Sequence, residues 1–294
     1  MTLMLMQWNC RGIYRKISEL KNWLENMATK PDVIALQETH LISKYTPRIR
    51  GYVLLRKDRD IHGGGVCFFI NERINFQEIQ MEDAHLIESQ LIMIDSLKVF
   101  NLYIPPNKSI SKDLLFRTFR HCASKCVIVG DFNAHHSLWG SRATNSCGRH
   151  LFHVIDTLNL VVHNTHIPTR VHLSLPNPGA SSVLDLTLSS YDCSHKITTT
   201  VTDHLLGSDH FIVLSGIGFQ PNRADRHLKS WSFQRANRQK FRDLCSQNFN
   251  SLADSAKHSI ERITDCVIDA AEKSIPLSRH CVKSSVSWWD KACA

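Results

Sequence analysis

The sequence lacks any apolar run as long as a membrane-spanning helix, and it has no internal repeat or low-complexity tract. Its longest apolar stretches, Val127–Gly130 and Phe211–Gly218, fall far short of the roughly 20 residues that cross a bilayer. No basic leader precedes the apolar residues 1–7, so we expect a buried first strand there rather than a signal peptide. We therefore predict that the protein has no membrane partner.

The composition also lacks the bias of disordered or fibrous chains, because 43% of the residues are hydrophobic and 21% are charged. A length of 294 residues suffices for one large domain with a full core and a smaller appendage. The net charge of +8, from 35 basic and 27 acidic residues, suits a partner with a phosphate backbone. The same charge is equally compatible with a soluble protein that happens to be basic.

Cysteine is not scarce, but its placement does not indicate a disulfide framework. The ten cysteines are scattered from Cys10 to Cys293 without a secretory signal, so we expect reduced thiols in the core. The nearest approach to a zinc pattern is His121–Cys122 with Cys126, which lacks a second well-spaced pair. We therefore do not predict a zinc site.

The chain has two regions with different sequence patterns. Up to about Phe219, short β-rich runs alternate with a few segments of helical spacing, and we interpret residues 1–219 as one domain. Several runs are apolar on both faces, which favours an α/β fold: a two-sheet β-sandwich flanked by helices. Residues 220–294 begin with a polar linker and continue with helical spacing, so we predict a linker and a helical C-terminal extension.

Polar side chains recur beside apolar strands, where an α/β architecture exposes them to a ligand. Most of them follow the strand, and the final group precedes one; they are Asn9, Glu38, Tyr103, Asp131 with Asn133, Asp185, and Ser208–Asp209–His210. Each alone has an ordinary explanation: Asn9 suits a turn, and Glu38 suits a solvated strand end as well as a metal ligand. Their recurrence together predicts a functional site.

Asp185 is the most informative single charge, because we place it within the predicted strand Val183–Leu188, where a turn does not explain it. A buried aspartate there needs a fixed hydrogen-bond donor, and His210 is a candidate. An unrelated arginine or a backbone amide is the alternative partner. The triplet Gly63–Gly65 lacks the Lys–Ser/Thr of a phosphate loop, so we interpret it as a hairpin turn.

With these residues assembled, the sequence resembles the endonuclease/exonuclease/phosphatase superfamily, which includes deoxyribonuclease I and the apurinic/apyrimidinic endonucleases. The motifs that carry the resemblance occur in the family's order, and they are Gln7–Trp8–Asn9, Leu36–Thr39, Tyr103, Gly130–Asn133, Leu184–Leu186 and Ser208–His210. Finer details are similar to the endonucleases of jockey-like LINE (non-LTR) retrotransposons, and they are Asn9–Gly12, Tyr103–Pro106, Asp131–His136 with Trp139–Gly140, and Trp288–Asp290 with Cys293.

The resemblance implies a metal-dependent nuclease. Glu38 is expected to be the principal Mg²⁺ ligand and part of the catalytic set, with Asn9 and Asp209 close by, and Mn²⁺ is expected to substitute. Thr169 and Ser208 are expected to contact the DNA backbone.

The resemblance also implies roles for the remaining site residues. Asp131 is expected to orient or deprotonate the attacking water, and Asn133 to place that water or contact the phosphate. His210, held by Asp185, and Tyr103 are expected to donate hydrogen bonds to the scissile phosphate.

As a whole, the resemblance predicts a magnesium-dependent endonuclease that nicks double-stranded DNA and leaves a 3′-hydroxyl for target-primed reverse transcription. It implies element RNA and a reverse transcriptase as partners in a longer polyprotein, and a nuclear location. No Tyr/Phe-x-Asp-Asp polymerase motif occurs, so we do not predict reverse transcription for this chain. The alternatives are an abasic-site repair endonuclease or another phosphoesterase of the superfamily, and a catalytically dead DNA-binding remnant.

Overall fold

The computed structural model describes residues 2–59, 63–81, 86–106, 108–164, 166–171, 182–219, 230–231, 235–252 and 260–278. Contacts divide the chain into two compact units, Met1–Ala224 and Asp225–Ala294. Our interpretation of the second unit as a segment leading to a reverse transcriptase stays a prediction. None of the described helices is long and apolar enough to cross a membrane.

The first unit contains twelve strands among its described residues. In chain order they are β1 Leu3–Asn9, β2 Val33–Gln37, β3 Tyr52–Lys57, β4 Val66–Asn71, β5 Gln77–Ile79, β6 Glu88–Ile94, β7 Leu97–Tyr103, β8 Cys126–Asp131, β9 Leu160–Val162, β10 Asp185–Ser190, β11 Ile197–Val201 and β12 Val213–Ile217. Its described helices are α1 Ile17–Glu25, α2 Lys112–Phe119, α3 Ser146–Thr157 and the short α4 Tyr191–Ser194, with 3-10 turns at Arg120–Cys122 and Ser137–Trp139.

The strands form two six-stranded sheets of matching design. The first sheet has the order β11-β12-β1-β2-β4-β3, and the second has the order β5-β6-β7-β8-β10-β9. Each sheet contains one parallel pair, β1 with β2 and β7 with β8, among otherwise antiparallel neighbours. This arrangement confirms the predicted two-sheet sandwich flanked by helices.

Three apolar clusters hold the layers together. One lies between the sheets and includes Leu5, Val33, Phe68 and Val129. A second packs α1 on the outer face of the first sheet, and a third packs α2 and α3 on the outer face of the second. Burial of apolar surface on both faces explains why these strands are apolar throughout rather than alternating.

The helices follow their sequence signals in part. In α1, Ile17, Leu20 and Leu24 are buried at the three- and four-residue spacing typical of an amphipathic helix. In α3, the side chain of Asn145 accepts a hydrogen bond from the backbone N–H of Gly148 and so caps the first turn. In α2 the sequence signal is weaker, because only three of its eight residues are buried.

The start of β10 corrects one expectation. We placed Asp185 within a strand that begins at Val183, whereas β10 begins at Asp185 itself. Asp185 lies opposite Asp131 in the antiparallel register between β10 and β8, so both carboxylates lie at the same end of the second sheet. The residue is buried as expected, but it marks a strand end rather than a strand centre.

Gly130 allows this strand end to form. A Cβ atom at this position would lie 1.9 Å from the carbonyl oxygen of Leu102 on the neighbouring β7, and its φ of +153° disfavours larger residues. Only glycine lets β8 approach β7 so closely just before Asp131.

The second unit contains α5 Arg238–Leu252 and α6 Ile260–Ser274, with a strand pair β13 Ser230–Trp231 and β14 Leu277–Ser278. The side-chain amide of Asn248 on α5 donates to the carbonyl of Cys266 on α6 at 3.0 Å. The predicted linker at 222–229 and the segment Trp288–Asp290 with Cys293 lie outside the described residues.

Candidate active site

The predicted site residues converge at one end of the sandwich. Asn9 ends β1 and Glu38 directly follows β2, while Tyr103 ends β7 and Asp131 ends β8. Within each parallel pair the strand ends are level, since Asn9 pairs with Gln37 and Tyr103 with Asp131. The carboxyl ends of both parallel pairs therefore bring four polar side chains from two sheets to one place.

Asp131 is the hub of the cluster and is 1% exposed. Its Oδ2 accepts hydrogen bonds from the amides of Asn9 at 2.8 Å and Asn133 at 3.2 Å, and its Oδ1 accepts from the backbone N–H of Asn133 at 3.0 Å. Burial raises the pKa of Asp131 to about 7, against the opposing effect of His210. A carboxylate with this pKa suits proton transfer near neutral pH.

His210 and Asp185 form a buried pair, with 2.8 Å between Nδ1 and Oδ2. Burial by itself would lower the pKa of His210, but the carboxylate of Asp185, with help from Asp131 and Asp209, raises it to about 9. The Nε2 atom lies 3.9 Å from Oδ2 of Asp131. The imidazole is thus held as a cation beside the carboxylate that is the candidate base.

Glu38 is the accessible carboxylate of the cluster, with 18% of its side chain exposed. Its Oε1 accepts from the amide of Asn9 at 2.9 Å, and its Oε2 lies 3.5 Å from Nε2 of His40. Its φ of +49° is rare for a residue with a side chain and places strain at the site. Burial, followed by the charges of Glu38 and Asp131, raises the pKa of Tyr103, whose hydroxyl hydrogen-bonds Glu38.

The two carboxylate oxygens of Asp209 have different surroundings. Its Oδ2 lies 3.0 Å from both Nη1 of Arg11 and Nε of Arg170. Burial opposes ionisation, but the charges of His210, Arg170 and Arg11 hold the pKa of Asp209 below its usual range. Its other oxygen, Oδ1, is buried without a hydrogen-bond partner among the described residues and lies 4.0 Å from Nε2 of His210.

These donors fit a hard divalent cation. Glu38, Asn9 and Asp209 offer oxygen atoms, which Mg²⁺ prefers, and the unpartnered Oδ1 of Asp209 leaves one such atom uncommitted. Within the described residues, the acidic and histidine group whose ligand atoms all lie within 4.8 Å of one another is Asp131, Asp185 and His210 instead. Because the Asp185–His210 hydrogen bond already occupies that group, we retain the oxygen set as our prediction.

Thr169 and Ser208 are both buried in the structure. The hydroxyl of Thr169 accepts from the backbone N–H groups of Leu184 and Asp185 at 3.0 Å each. The hydroxyl of Ser208 donates to the carbonyl of Asn9 at 2.7 Å and accepts from the N–H of His210 at 3.3 Å. These contacts position Asn9, Asp185 and His210, while the predicted contacts to DNA stay predictions.

Sequence reasoning missed the two arginines on Asp209. Arg11 entered only as part of the family-like segment Asn9–Gly12, and Arg170 gave no signal because it precedes no strand. Arg170 also forms isolated backbone bridges with Ser182 and His210, so it joins the Thr169 loop to His210.

Sequence reasoning also missed a set of hydrogen bonds that joins the two sheets through Glu88. The carboxylate of Glu88, at the start of β6, accepts from Nε of Arg59 at 2.6 Å and from the backbone N–H of Gly65. The carbonyl of Gly65 in turn accepts from the N–H of Thr39 at 3.1 Å, in the loop that follows β2. Gly63–Gly65 therefore lies in the connection between β3 and β4, as expected, and it also supports the loop that carries Glu38.

Buried amides connect the sheets beneath the cluster. The side-chain amide of Gln37 donates to Oδ1 of Asn101 at 2.7 Å, and Asn101 donates to the carbonyls of Leu36 at 3.2 Å and Cys67 at 3.0 Å. A polar pair between two apolar sheet faces stabilises one relative position of the sheets, because any shift of one sheet against the other would leave these buried groups unpaired.

Comparison with known proteins places this geometry in a family context. Residues 97–214 match the model of the endonuclease–reverse transcriptase family. The chain is 26% identical to the protein named "Probable RNA-directed DNA polymerase from transposon BS" of Drosophila melanogaster, over 57% of this chain and 19% of that protein. It is 24% identical to the RNA-directed DNA polymerase from mobile element jockey of Drosophila funebris, over 97% of this chain and 32% of that protein.

Solved structures show the same fold. The endonuclease domain of TRAS1, a telomere-specific non-LTR retrotransposon, is 18% identical with a TM-score of 0.59, over 74% of this chain and 99% of that one. An AP endonuclease from Archaeoglobus fulgidus is 17% identical with a TM-score of 0.62, over 74% and 100%. Together these matches confirm the resemblance that the motifs predicted, while the chain spans a fifth to a third of the curated relatives named above.

Proposed function

We propose that this chain, a member of the endonuclease/exonuclease/phosphatase superfamily, is a magnesium-dependent endonuclease that nicks double-stranded DNA. The observation that carries the proposal is the buried cluster of Asp131 with the His210–Asp185 pair. It holds a carboxylate whose pKa is raised to about 7 beside an imidazole whose pKa is raised to about 9. Between these values one group accepts a proton while the other stays cationic, as hydrolysis of a phosphodiester requires.

The reaction follows from these groups. Asp131 takes a proton from water, which Asn133 positions, and the water oxygen forms a bond to phosphorus. The phosphorus–O3′ bond breaks, the leaving O3′ takes a proton from solvent water, and Asp131 releases its proton to solvent, so the products are a 3′-hydroxyl and a 5′-phosphate. His210 and Tyr103 donate hydrogen bonds to the non-bridging oxygens, and the raised pKa of Tyr103 keeps its hydroxyl protonated for this role.

Magnesium held by Glu38, with Asn9 and Asp209 nearby, would neutralise negative charge on the phosphate and the leaving oxygen. Arg11 and Arg170 keep Asp209 ionised and hold one of its oxygens, which leaves the other for this role. Mn²⁺ is expected to substitute, because it accepts the same oxygen ligands.

The biological role in the proposal rests on the jockey relatives. A nick that ends in a 3′-hydroxyl supplies a primer, and the relatives are named as RNA-directed DNA polymerases. We infer target-primed reverse transcription, with the element RNA and a reverse transcriptase in a longer polyprotein as partners. The target is genomic DNA, so the proposed location is the nucleus.

A nicking assay tests the proposal. Supercoiled plasmid is incubated with Mg²⁺ and wild type, Glu38→Gln or His210→Ala, with EDTA as the metal-free arm. Glu78→Gln, an exposed carboxylate on the edge strand β5, is the matched control. We expect open-circle product from wild type and control only, with the two site variants slower by about 100-fold or more.

Two further readouts sharpen the result. The nicked strand should support extension by a DNA polymerase without prior end repair, since its end carries a 3′-hydroxyl. Cleavage restricted to a duplex with an abasic site would favour the repair enzyme instead. DNA binding without cleavage, in the presence of Mg²⁺, would contradict the proposal and favour a catalytically dead module.

A further inference from the structure

A groove of about 1020 Å³ lies on the outer face of the first sheet, between α1, the loop before β3, and β3 itself. It is separate from the catalytic cluster. Tyr52 in its wall pairs with Asn71, and the N–H of Asn71 donates to the carbonyl of Asp32 just before β2. Glu38 follows the other end of β2, so the strand, about 17 Å long, separates the two places.

The groove has a cationic rim. Lys21 on α1, Lys30 after it, and Arg48 and Arg50 in the facing loop all line it, against a single acidic residue, Glu25. Within the described part of the chain, these four cations form no ion pair or hydrogen bond, so their charge is available to a ligand. Unpaired cations facing one another across a groove attract an anion that extends along it.

The floor between the rims is apolar. Its accessible surface comes from half-buried Leu54 and Tyr52, while Leu24, Ile49 and Phe69 line the groove but are themselves buried. A free phosphate or a small anion gains nothing from such a floor. A ligand that matches both parts carries negative charge at its edges and flat apolar rings between them.

The walls are fixed before any ligand arrives. The guanidinium of Arg56 donates to the carbonyls of Tyr45 at 2.8 Å and Ile42 at 3.0 Å, which anchors the loop before β3. The hydroxyl of Tyr52 donates to the carbonyl of Pro31 at 2.6 Å and joins that wall to the start of β2. A groove held open by its own hydrogen bonds requires little ordering when a chain binds to it.

We propose that this groove binds single-stranded nucleic acid, with phosphates along the cationic rim and unstacked bases on the apolar floor. A charged groove combined with apolar and aromatic surface is the arrangement that recognises single strands. A duplex fits less well, because its bases face inward and leave the floor without a partner. RNA and DNA share the chemistry, so the test includes both. The proposal is independent of the endonuclease activity.

Binding is measured by fluorescence anisotropy in EDTA, with labelled RNA and DNA oligonucleotides of about 12 nucleotides. The variant is Arg48→Glu with Arg50→Glu, and the matched control reverses two exposed cations on α2, Lys112→Glu with Arg117→Glu. We expect the groove variant to bind at least tenfold more weakly and the control to bind like wild type. Plasmid nicking should be unchanged in both, which separates this proposal from the catalytic one.

Salt dependence and crosslinking locate the contact. Loss of two phosphate contacts should reduce the slope of log affinity against log salt by about 1.4, at about 0.7 for each contact. An oligonucleotide that contains 4-thiouridine should crosslink to a peptide that includes Tyr52. Equal affinity in the groove variant, equal weakening in the control, crosslinks confined to the catalytic loops, or equal competition by duplex DNA would each overturn the proposal. RNA binding without DNA binding, or the reverse, supports it and identifies the strand.

Discussion

Replacement of Asp185 by asparagine tests the central electrostatic argument, because it removes one charge and almost no volume. Asp185 Oδ2 lies 2.8 Å from Nδ1 of His210, and the pair is buried. The carboxylate is the first of the charges that raise the pKa of His210 to about 9. Without this carboxylate, the effect of burial, which lowers the pKa of His210, has less opposition. We therefore expect the pKa of His210 to fall to about 6.5 or lower.

The size of the effect follows from the protonated fraction. At about pH 7.5 an imidazole of pKa about 9 is about 97% protonated, whereas one of pKa about 6.5 is about 9% protonated. If the cation is the active form, Asp185→Asn should nick DNA about tenfold more slowly at that pH. The ratio of wild-type to variant rate should be close to about 1 at pH 6 and about 80 at pH 8.5.

The assay is the initial rate of plasmid nicking from about pH 6 to about pH 9, at fixed Mg²⁺ and ionic strength. Wild type should show a bell between the two apparent pKa values, because Asp131 must be deprotonated and His210 protonated. These values belong to the interacting groups together. Asp156→Asn, at an exposed position of α3, is the matched control and should follow the wild-type profile.

If the variant is slower by the same factor at every pH, Asp185 orients the imidazole but does not keep it charged. A stability measurement gives an independent check. Since the folded-state pKa of His210 is raised, its stabilising contribution is complete below about pH 6.5 and is lost as pH rises through about 9. The difference in Tm between wild type and variant should therefore shrink over that range.

Three other predictions concern the scaffold and the metal. Gly130→Ala should prevent stable folding, because its Cβ would lie 1.9 Å from the backbone oxygen of Leu102. Gly51 also has a positive φ but has nothing within 4 Å of an added Cβ, so Gly51→Ala should lower the free energy of unfolding in denaturant by only about 1–2 kcal/mol. Equal effects of the two substitutions would contradict the clash at Gly130. Glu38→Gln should weaken Mn²⁺ binding measured by EPR, and an unchanged isotherm would remove Glu38 from the metal site. Arg170→Ala should lower Tm more than Arg11→Ala, because 28% of the Arg170 side chain is exposed against 53% for Arg11.

Much of the fold was predictable because its signals are local. The apolar run Val127–Gly130 became the centre of β8, and the three- and four-residue spacing of Ile17, Leu20 and Leu24 became the buried face of α1. Strand boundaries were less secure, as β10 shows, since the two residues before Asp185 are apolar and buried but lie outside the strand. A sequence pattern indicates which residues are buried, but a buried residue does not have to be paired in a sheet.

Some residues of the candidate site were also predictable from the sequence, and others were not. Polar groups beside apolar strands drew attention to Glu38, Asp131 and His210, because a charge next to a buried strand requires a partner. Glu88 gave no such signal, since a glutamate at the start of a strand is ordinary on a protein surface. Its importance comes from the hydrogen bond that it accepts from Gly65, in the β3–β4 connection of the other sheet.

The amino-acid sequence alone was enough to indicate most strands, the residue types beside them, and the family that their order resembles. Which side chains meet became known from the folded chain: Asn9 with Asp131, and Asp209 with Arg11 and Arg170. Periodicity and burial are properties of a few neighbouring residues. Distances across the site depend instead on the register of two parallel strand pairs and on how the two sheets pack face to face.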